Sequence, residues 1–310
     1  MAPVKTSIPE GSVLNCKFPA ACGFAPWVGQ MLVASISENV AKMLYAAGRV
    51  EDINATWNSI WYQGGPGFVY AGHNREGIPT PQGIYDLHGG GLGAAPYRDG
   101  VDSGGHMNIP SGGISDVERV EMQYPLIYFT RNHNTDGSGF GRFRGGVGSF
   151  RIVIVYGSKD FSVNFNPYGG LPQGAYGLFG GYPAGVGGLR AILLSSPELG
   201  ERMRAGDYPT QLDEITTRGW GQLYLPEGSP ERVSLPELTL MADYVQGGGG
   251  YGDPLDRPPE AVTRDARTGV TSVEIARRGY GVVVDEKSFT LDVAATDARR
   301  REIREQRLKE

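Results

Sequence analysis

All four histidines of the chain, His73, His88, His106 and His133, fall in one stretch, with Asp86, Asp99 and Asp102 among them. Imidazole is the side chain best matched to proton transfer near neutral pH and is a common metal ligand, so this stretch is where proton chemistry is expected. His106, between Gly105 and Met107 in a loop-forming context, is the best single candidate. His133 reads as a surface turn residue. No H-x-x-x-H, H-E-x-x-H or C-x-x-C spacing occurs, so a complete metal site within the chain is not expected.

Gly139-Phe-Gly-Arg-Phe-Arg-Gly-Gly-Val-Gly148 places Arg142 and Arg144 two apart, on one face of an extended segment. Such a pair can hold a carboxylate or phosphate bidentately. The alternative is a structural ion pair with Asp136 or another carboxylate. Tyr85-Asp-Leu-His-Gly-Gly-Gly-Leu-Gly93 lacks the lysine of a phosphate loop, and Pro96 with Asp99-Gly100 argues against the helix that a dinucleotide loop needs. Gln246-Gly-Gly-Gly-Gly-Tyr-Gly-Asp-Pro254 reads as a tight crossing ahead of a helix. Trp57, Trp61 and Tyr62 would serve either as an aromatic wall of a site or as core.

The elements that position these residues follow from periodicity. Val28, Leu32, Ile36, Val40 and Leu44 recur every fourth residue, which predicts a core-facing amphipathic helix that stops near Gly48. Short strands are expected at Phe68–Ala71, Leu126–Thr130 and Gln222–Leu225. Phe150–Tyr156 is the strongest strand, with Phe161–Phe165 as its hairpin partner. Pro258–Thr268 and Ser272–Arg278 read as two helices, the second capped by Ser272, and Gly281–Asp285 as a late strand. The charged tail 297–310 reads as a solvated terminal helix or frayed end, or as a docking helix for a partner subunit. The fold class expected is therefore α+β: a β-rich, glycine-loop-rich single unit over 1–310, with one long N-terminal amphipathic helix and short C-terminal helices.

Composition narrows the function. A hydrophobic fraction of 40% and a charged fraction of 20% suit a globular chain. A formal net charge of -5 gives no reason to seek nucleic acid or an anionic membrane. No run of 18 apolar residues occurs, and no secretory pattern opens the chain, so a cytoplasmic location with Cys16 and Cys22 reduced is expected. Glycine supplies 48 of 310 residues, about twice the ~7% average, and the glycine segments carry aromatics that favour packed loops over linkers.

Several blocks occur in a familiar order: Glu10-Gly-Ser-Val-Leu-Asn15, Gly89-Gly-Gly-Leu-Gly-Ala94, Arg98-Asp-Gly-Val101, His106-Met107, Gly141-Arg-Phe-Arg-Gly-Gly-Val-Gly148, Gly177-Leu-Phe-Gly-Gly181, Gly247-Gly-Gly-Gly-Tyr-Gly-Asp-Pro-Leu255 and Tyr280–Asp285. Together they resemble the hydantoinase B family, which includes the B parts of 5-oxoprolinases, N-methylhydantoinases and ketone carboxylases. The resemblance spans nearly the whole chain but only the C-terminal half of the usual family length. It implies that the family's metal ligands lie outside this chain, so none is carried over. It also implies hydantoinase A-like ATPase subunits as partners. Those subunits would bind ATP and Mg, and any divalent metal such as zinc would sit on a partner.

A short B-type chain of this kind is similar to the half-length subunits of acetophenone carboxylase, in which ATP drives carboxylation of an aryl ketone by bicarbonate to a β-keto acid. Phosphorylation of the enol oxygen and of bicarbonate would supply nucleophile and electrophile. In that setting His106 would handle protons. Asp86, which matches an acidic family position, would be the second-choice base. Arg142 or Arg144 would hold the carboxylate or phosphate, and Trp61 would line the substrate. The alternatives are ATP-dependent opening of a lactam or hydantoin ring, and a non-catalytic assembly subunit of either complex.

Overall fold

Phe150 to Val155 is apolar at every position but one, with no polar face, as a strand covered on both sides must be. In the computed structural model, which describes residues 7–12, 15–20, 25–53, 70–80, 90–104, 116–165, 175–185, 188–193, 197–220, 223–224 and 231–309, this run is β3 (Ser149–Val155). It lies inside a five-stranded antiparallel sheet of order β2 (Leu126–His133), β3, β8 (Leu240–Tyr244), β5 (Gly188–Leu193), β6 (Leu223–Tyr224). Its odd positions, Val153 and Val155, enter a cluster with Phe161, Leu235 and Val120. Its even positions, Phe150, Ile152 and Ile154, enter another with Leu199, Ile215 and Trp220. Val120 comes from α2 (Val117–Gln123), Leu199 from α3 (Pro197–Arg204) and Ile215 from α4 (Glu214–Thr217).

The hairpin expectation is corrected. Phe161–Phe165 does contribute β4 (Ser162–Phe165), but β4 pairs with β1 (Tyr70–Ala71) and β7 (Glu231–Ser234) in a separate three-stranded sheet. Both edges of β3 are already taken, since Val155 pairs with Leu126 and Ile154 with Leu240. The chain turns at Gly157 (φ 76) and carries β4 to the other sheet.

The predicted N-terminal helix is α1 (Ala25–Ala46). Gly48 ends it with φ 73, its N–H bonded to the Tyr45 carbonyl at 3.0 Å and that of Arg49 to Leu44 at 2.9 Å. Of the described stripe, Leu44 is partly buried, but Ile36 and Val40 are 42% and 45% exposed. The stripe is thus not wholly core-facing.

The C-terminal helices are α5 (Pro259–Arg267) and α6 (Val273–Gly279), the latter capped by Ser272, whose Oγ accepts the Ile275 N–H at 3.1 Å. Gly281–Asp285 is not a strand; only an isolated bridge joins Val284 to Leu291. The tail is not frayed either. Helix α7 (Val293–Arg307) lies back on its own chain. Arg300 donates to the carbonyls of Tyr280 (3.1 Å) and Arg257 (2.7 Å), and Arg307 to the Asp253 carboxylate (2.7 Å). Arg300 thereby satisfies two backbone carbonyls outside the helix, and Arg307 pairs with a carboxylate. Cys16 is disulfide-bonded, against the expectation of reduced thiols; a turn bonded from Ala20 N–H to the Lys17 carbonyl folds the chain back just after it. No described helix is long and apolar enough to cross a membrane.

Candidate functional site

The glycine segments are the walls of one assembly. Loop 90–104 bonds to loop 139–148 through Gly146 N–H and the Leu92 carbonyl (2.8 Å). That loop bonds to 246–253 through Gly248 N–H and the Gly146 carbonyl (2.9 Å). The last reaches 175–185 through Leu178 N–H and the Gly250 carbonyl (3.0 Å). Backbones pack here without side chains between them. A Cβ on Gly146 would stand 2.0 Å from the Val101 carbonyl oxygen, and one on Gly248 would stand 2.1 Å from that of Leu92. Only glycine permits that approach.

Two buried arginines fasten the stack. Arg257 donates to both carboxylate oxygens of Asp99 (2.6 and 2.7 Å) and to Asp265 of α5 (2.7 Å). Arg144 donates to both oxygens of Asp102 (2.7 and 3.1 Å), and its Nε stands 3.3 Å from Asp265. Asp265 therefore bridges the pair. Asp99 also accepts the Arg144 backbone N–H (2.9 Å), and Asp102 accepts that of Val147 (2.8 Å). Burial pushes the Asp102 carboxyl up, but the bonds and charge of Arg144 outweigh it and hold it below the usual range. Tyr280 is fully buried nearby, its hydroxyl without a hydrogen-bond partner among the described residues, and burial raises its pKa.

The two candidate arginines do not share an accessible face. Phe143 is bonded in both directions to Tyr251 (3.0 and 2.9 Å), and on either side of it the environments diverge. Arg144 is 7% exposed and engaged by carboxylates, so the structural ion-pair alternative describes its contacts, with Asp102 and Asp265 in place of Asp136. Arg142 is exposed, its guanidinium 5.6 Å from the Phe143 ring centre. Of these two arginines, Arg142 is the exposed one. His106, Asp86 and Trp61, with His88, Trp57 and Tyr62, lie outside the described residues.

His73 is in a pairing that no spacing announced. Its Nδ1 is 2.7 Å from Asp160 Oδ2, 87 positions later, and its backbone N–H donates to the other oxygen at 3.1 Å. The bond from His73 holds the Asp160 carboxyl below its ordinary pKa. A carboxylate on one ring nitrogen leaves the other to take or give a proton, the arrangement of an oriented general base. His133 is exposed at the end of β2.

Asp136 borders a cleft of about 430 Å³ with Asn134, Gln211, Asp213 and Ser272. Its backbone is left-handed (φ 60), it accepts the Ser272 N–H at 2.7 Å, and burial raises its pKa. Among the described residues, no group of three or more His, Cys, Asp or Glu side chains is placed to hold a metal ion.

Arg257, Asp265 and Asp160 were missed by inspection of the sequence. Arg257 lies two residues past the Gly247–Leu255 block, and that proximity was the available signal; Asp160 offered none.

The hydantoinase B/oxoprolinase family model matches residues 1–254. The chain is 30% identical to the acetone carboxylase alpha subunit of Xanthobacter autotrophicus over 87% of its length and 35% of that protein. It is 28% identical to the acetophenone carboxylase delta subunit of Aromatoleum aromaticum, over 91% and 42%. With the caprolactamase subunit beta of Pseudomonas jessenii the identity is 32%, over 94% and 45%. The nucleotide-free acetone carboxylase structure superposes with a TM-score of 0.76 at 26% identity, over 89% of this chain and 37% of that one. The chain thus spans less than half the length of each relative.

Proposed function

Because the chain belongs to the hydantoinase B/oxoprolinase family and is homologous to subunits of ATP-dependent carboxylases and lactamases, we propose that it is a subunit of a multi-subunit, ATP-dependent ketone carboxylase. The observation that carries this reading is the similarity to two ketone carboxylase subunits along 87% and 91% of the chain. An aryl ketone of the acetophenone kind, with bicarbonate, is the proposed substrate pair, and a cytoplasmic complex the proposed setting. ATP and Mg would be bound by a hydantoinase A-like partner subunit.

The chain's own part is to shape and charge one wall of a shared site. Arg142 would hold the carboxylate of bicarbonate or the phosphate it receives, as a planar guanidinium can. Its buried neighbours Arg144 and Arg257 tie the glycine loops so that Arg142 stays in place. His106 would take the proton released as the ketone enolises, with Asp86 as second base and Trp61 against the ring. His73, oriented by Asp160, is a further proton carrier for the same step.

A second reading rests on the caprolactamase match: ATP-dependent ring opening of a lactam, with water as nucleophile. ATP turnover by the assembled complex separates the two. Ketone-stimulated ATP hydrolysis that requires bicarbonate supports carboxylation. Lactam-stimulated hydrolysis indifferent to bicarbonate would transfer the chain to the second reading.

A further inference from the structure

Phe179 holds a backbone conformation that its side chain does not favour. Gly181 N–H donates to the Leu178 carbonyl at 3.0 Å, and the two residues between, Phe179 and Gly180, have φ of 52° and 95°. Two positive φ values in such a turn are the mark of type I′, whose first central position is usually Asn, Asp or Gly. A bulky side chain there is an outlier. Asparagine would make the same turn with less strain, so what the position retains is the ring. Strain of this kind points to a function.

The ring belongs to an exposed stack. Its centre is 4.3 Å from that of Tyr45 in α1, with the planes 27° from parallel, and 5.5 Å from that of Tyr251. Tyr251 is nearly covered, but Phe179 and Tyr45 are 38% and 52% exposed. Rings that served only to pin α1 to the loop would be covered. These keep aromatic surface in solvent, where another flat ring can extend the stack.

A cation lies beside them. Tyr251 bridges to Leu178 on one side and to Phe143 on the other, so three segments run edge to edge at roughly 4.8 Å per step. Arg142 N–H donates to the Gly252 carbonyl (3.1 Å), and Gly252 N–H donates to that of Leu178 (3.0 Å). Along this ladder the residue between Arg142 and Phe179, both exposed, is a glycine, which puts no side chain between cation and ring.

We propose that Tyr45 and Phe179 form a shelf for an aryl ring whose carboxylate or phosphate is held by Arg142. Phe179 is then a specificity-determining residue, since an aliphatic ketone has no face to stack. The identity of the substrate, an aryl ketone on its way to a β-keto acid, rests on the carboxylation reading. The chemical class, an aryl group joined to an anion, rests on the geometry alone.

The test compares Phe179→Asn with wild type in the assembled complex. Asparagine suits the turn, so the thermal transition should hold or rise. The ratio of kcat/KM for acetophenone to that for acetone, read from bicarbonate-dependent ATP hydrolysis, should fall at least tenfold. An unchanged ratio would overturn the proposal. So would a lowered transition with equal losses on both ketones, which would make the ring a structural staple. Phenyl phosphate and inorganic phosphate are probes that need no turnover. In calorimetry the wild-type complex should bind the first at least tenfold more tightly than the second, and Phe179→Asn should remove that preference. Equal affinities in wild type, or a preference that survives the substitution, would also overturn it. A complex with no ketone-dependent ATP hydrolysis that keeps a Phe179-dependent preference would sink the carboxylation reading and leave the shelf standing.

Discussion

The guanidinium of Arg257 donates two hydrogen bonds to the carboxylate of Asp99, 158 positions earlier in the chain. This pair joins the loop after the last glycine block to the loop 90–104, and the same guanidinium also donates to Asp265 (2.7 Å) and to the Arg142 carbonyl (3.2 Å). Removing Arg257 would leave Asp99 without its two-pronged partner and Asp265 with Arg144 alone. Arg257→Ala should therefore cost about 3–5 kcal/mol, the penalty for breaking a buried pair from one side. Arg257→Lys should recover only part of it, because an ammonium cannot form the fork. Urea denaturation of the three proteins measures this, and a loss below about 1 kcal/mol would mean the pair is not what fastens the loops.

The glycine stack makes a sharper demand. Gly146→Ala places a methyl 2.0 Å from the Val101 carbonyl oxygen, and Gly248→Ala one 2.1 Å from that of Leu92. Both obstacles are backbone atoms in bonded loops, which cannot step aside as a flexible side chain can. Each variant should fail to accumulate in soluble, folded form. Gly185→Ala, with nothing within 4 Å of the added methyl, should behave as wild type. Soluble yield and thermal transitions of the three compare them directly, and a folded Gly248→Ala protein would remove the close-packing argument.

These two features show where sequence reading reaches and where it stops. The strong strand at 149–155, the helices at 259–267 and 273–279 and the Ser272 cap follow local periodicity and capping chemistry, and all are in place. The glycine blocks also announced tight packing. What they pack against depends on contacts between distant segments, as with Arg257 and Asp99 or His73 and Asp160, and no local pattern encodes a partner. The hairpin assigned to β3 and β4 failed for the same reason. Adjacency and alternation made them neighbours, but β2 and β8 had already filled both edges of β3. The late strand at 281–285 failed because an apolar run is consistent with burial in any backbone form, and here it packs below α6 and against Tyr280 without a ladder.

The divergence of Arg142 and Arg144 gives a test of the proposed site. Arg142 is exposed and Arg144 is engaged by two carboxylates. Arg142→Ala should leave stability within about 0.5 kcal/mol of wild type, as an exposed substitution does, while bicarbonate-dependent turnover of the assembled complex falls at least tenfold. Arg144→Ala should instead lose about 3–5 kcal/mol of stability. Steady-state kinetics with denaturation of both variants read the split. Full turnover by a folded Arg142→Ala complex would remove the anion-holding role.

Asp136 gives a prediction whose sign follows from its surroundings. Burial raises its carboxyl above the ordinary aspartate value, so in the folded protein the neutral form is favoured more than in the unfolded chain. For an acid shifted upward, ionisation penalises folding: the cost grows as pH rises from the unfolded pKa through the raised folded one, and is full above it. Asp136→Asn keeps an oxygen to accept the Ser272 N–H and tolerates the left-handed backbone, but has no charge to bury. The variant should be more stable than wild type near pH 7–8, and the gap should close as pH falls below about 4. Thermal unfolding from acid to mildly alkaline pH follows the difference. A gap that widened toward acid would mean that the Ser272 bond, and not burial, governs this carboxylate.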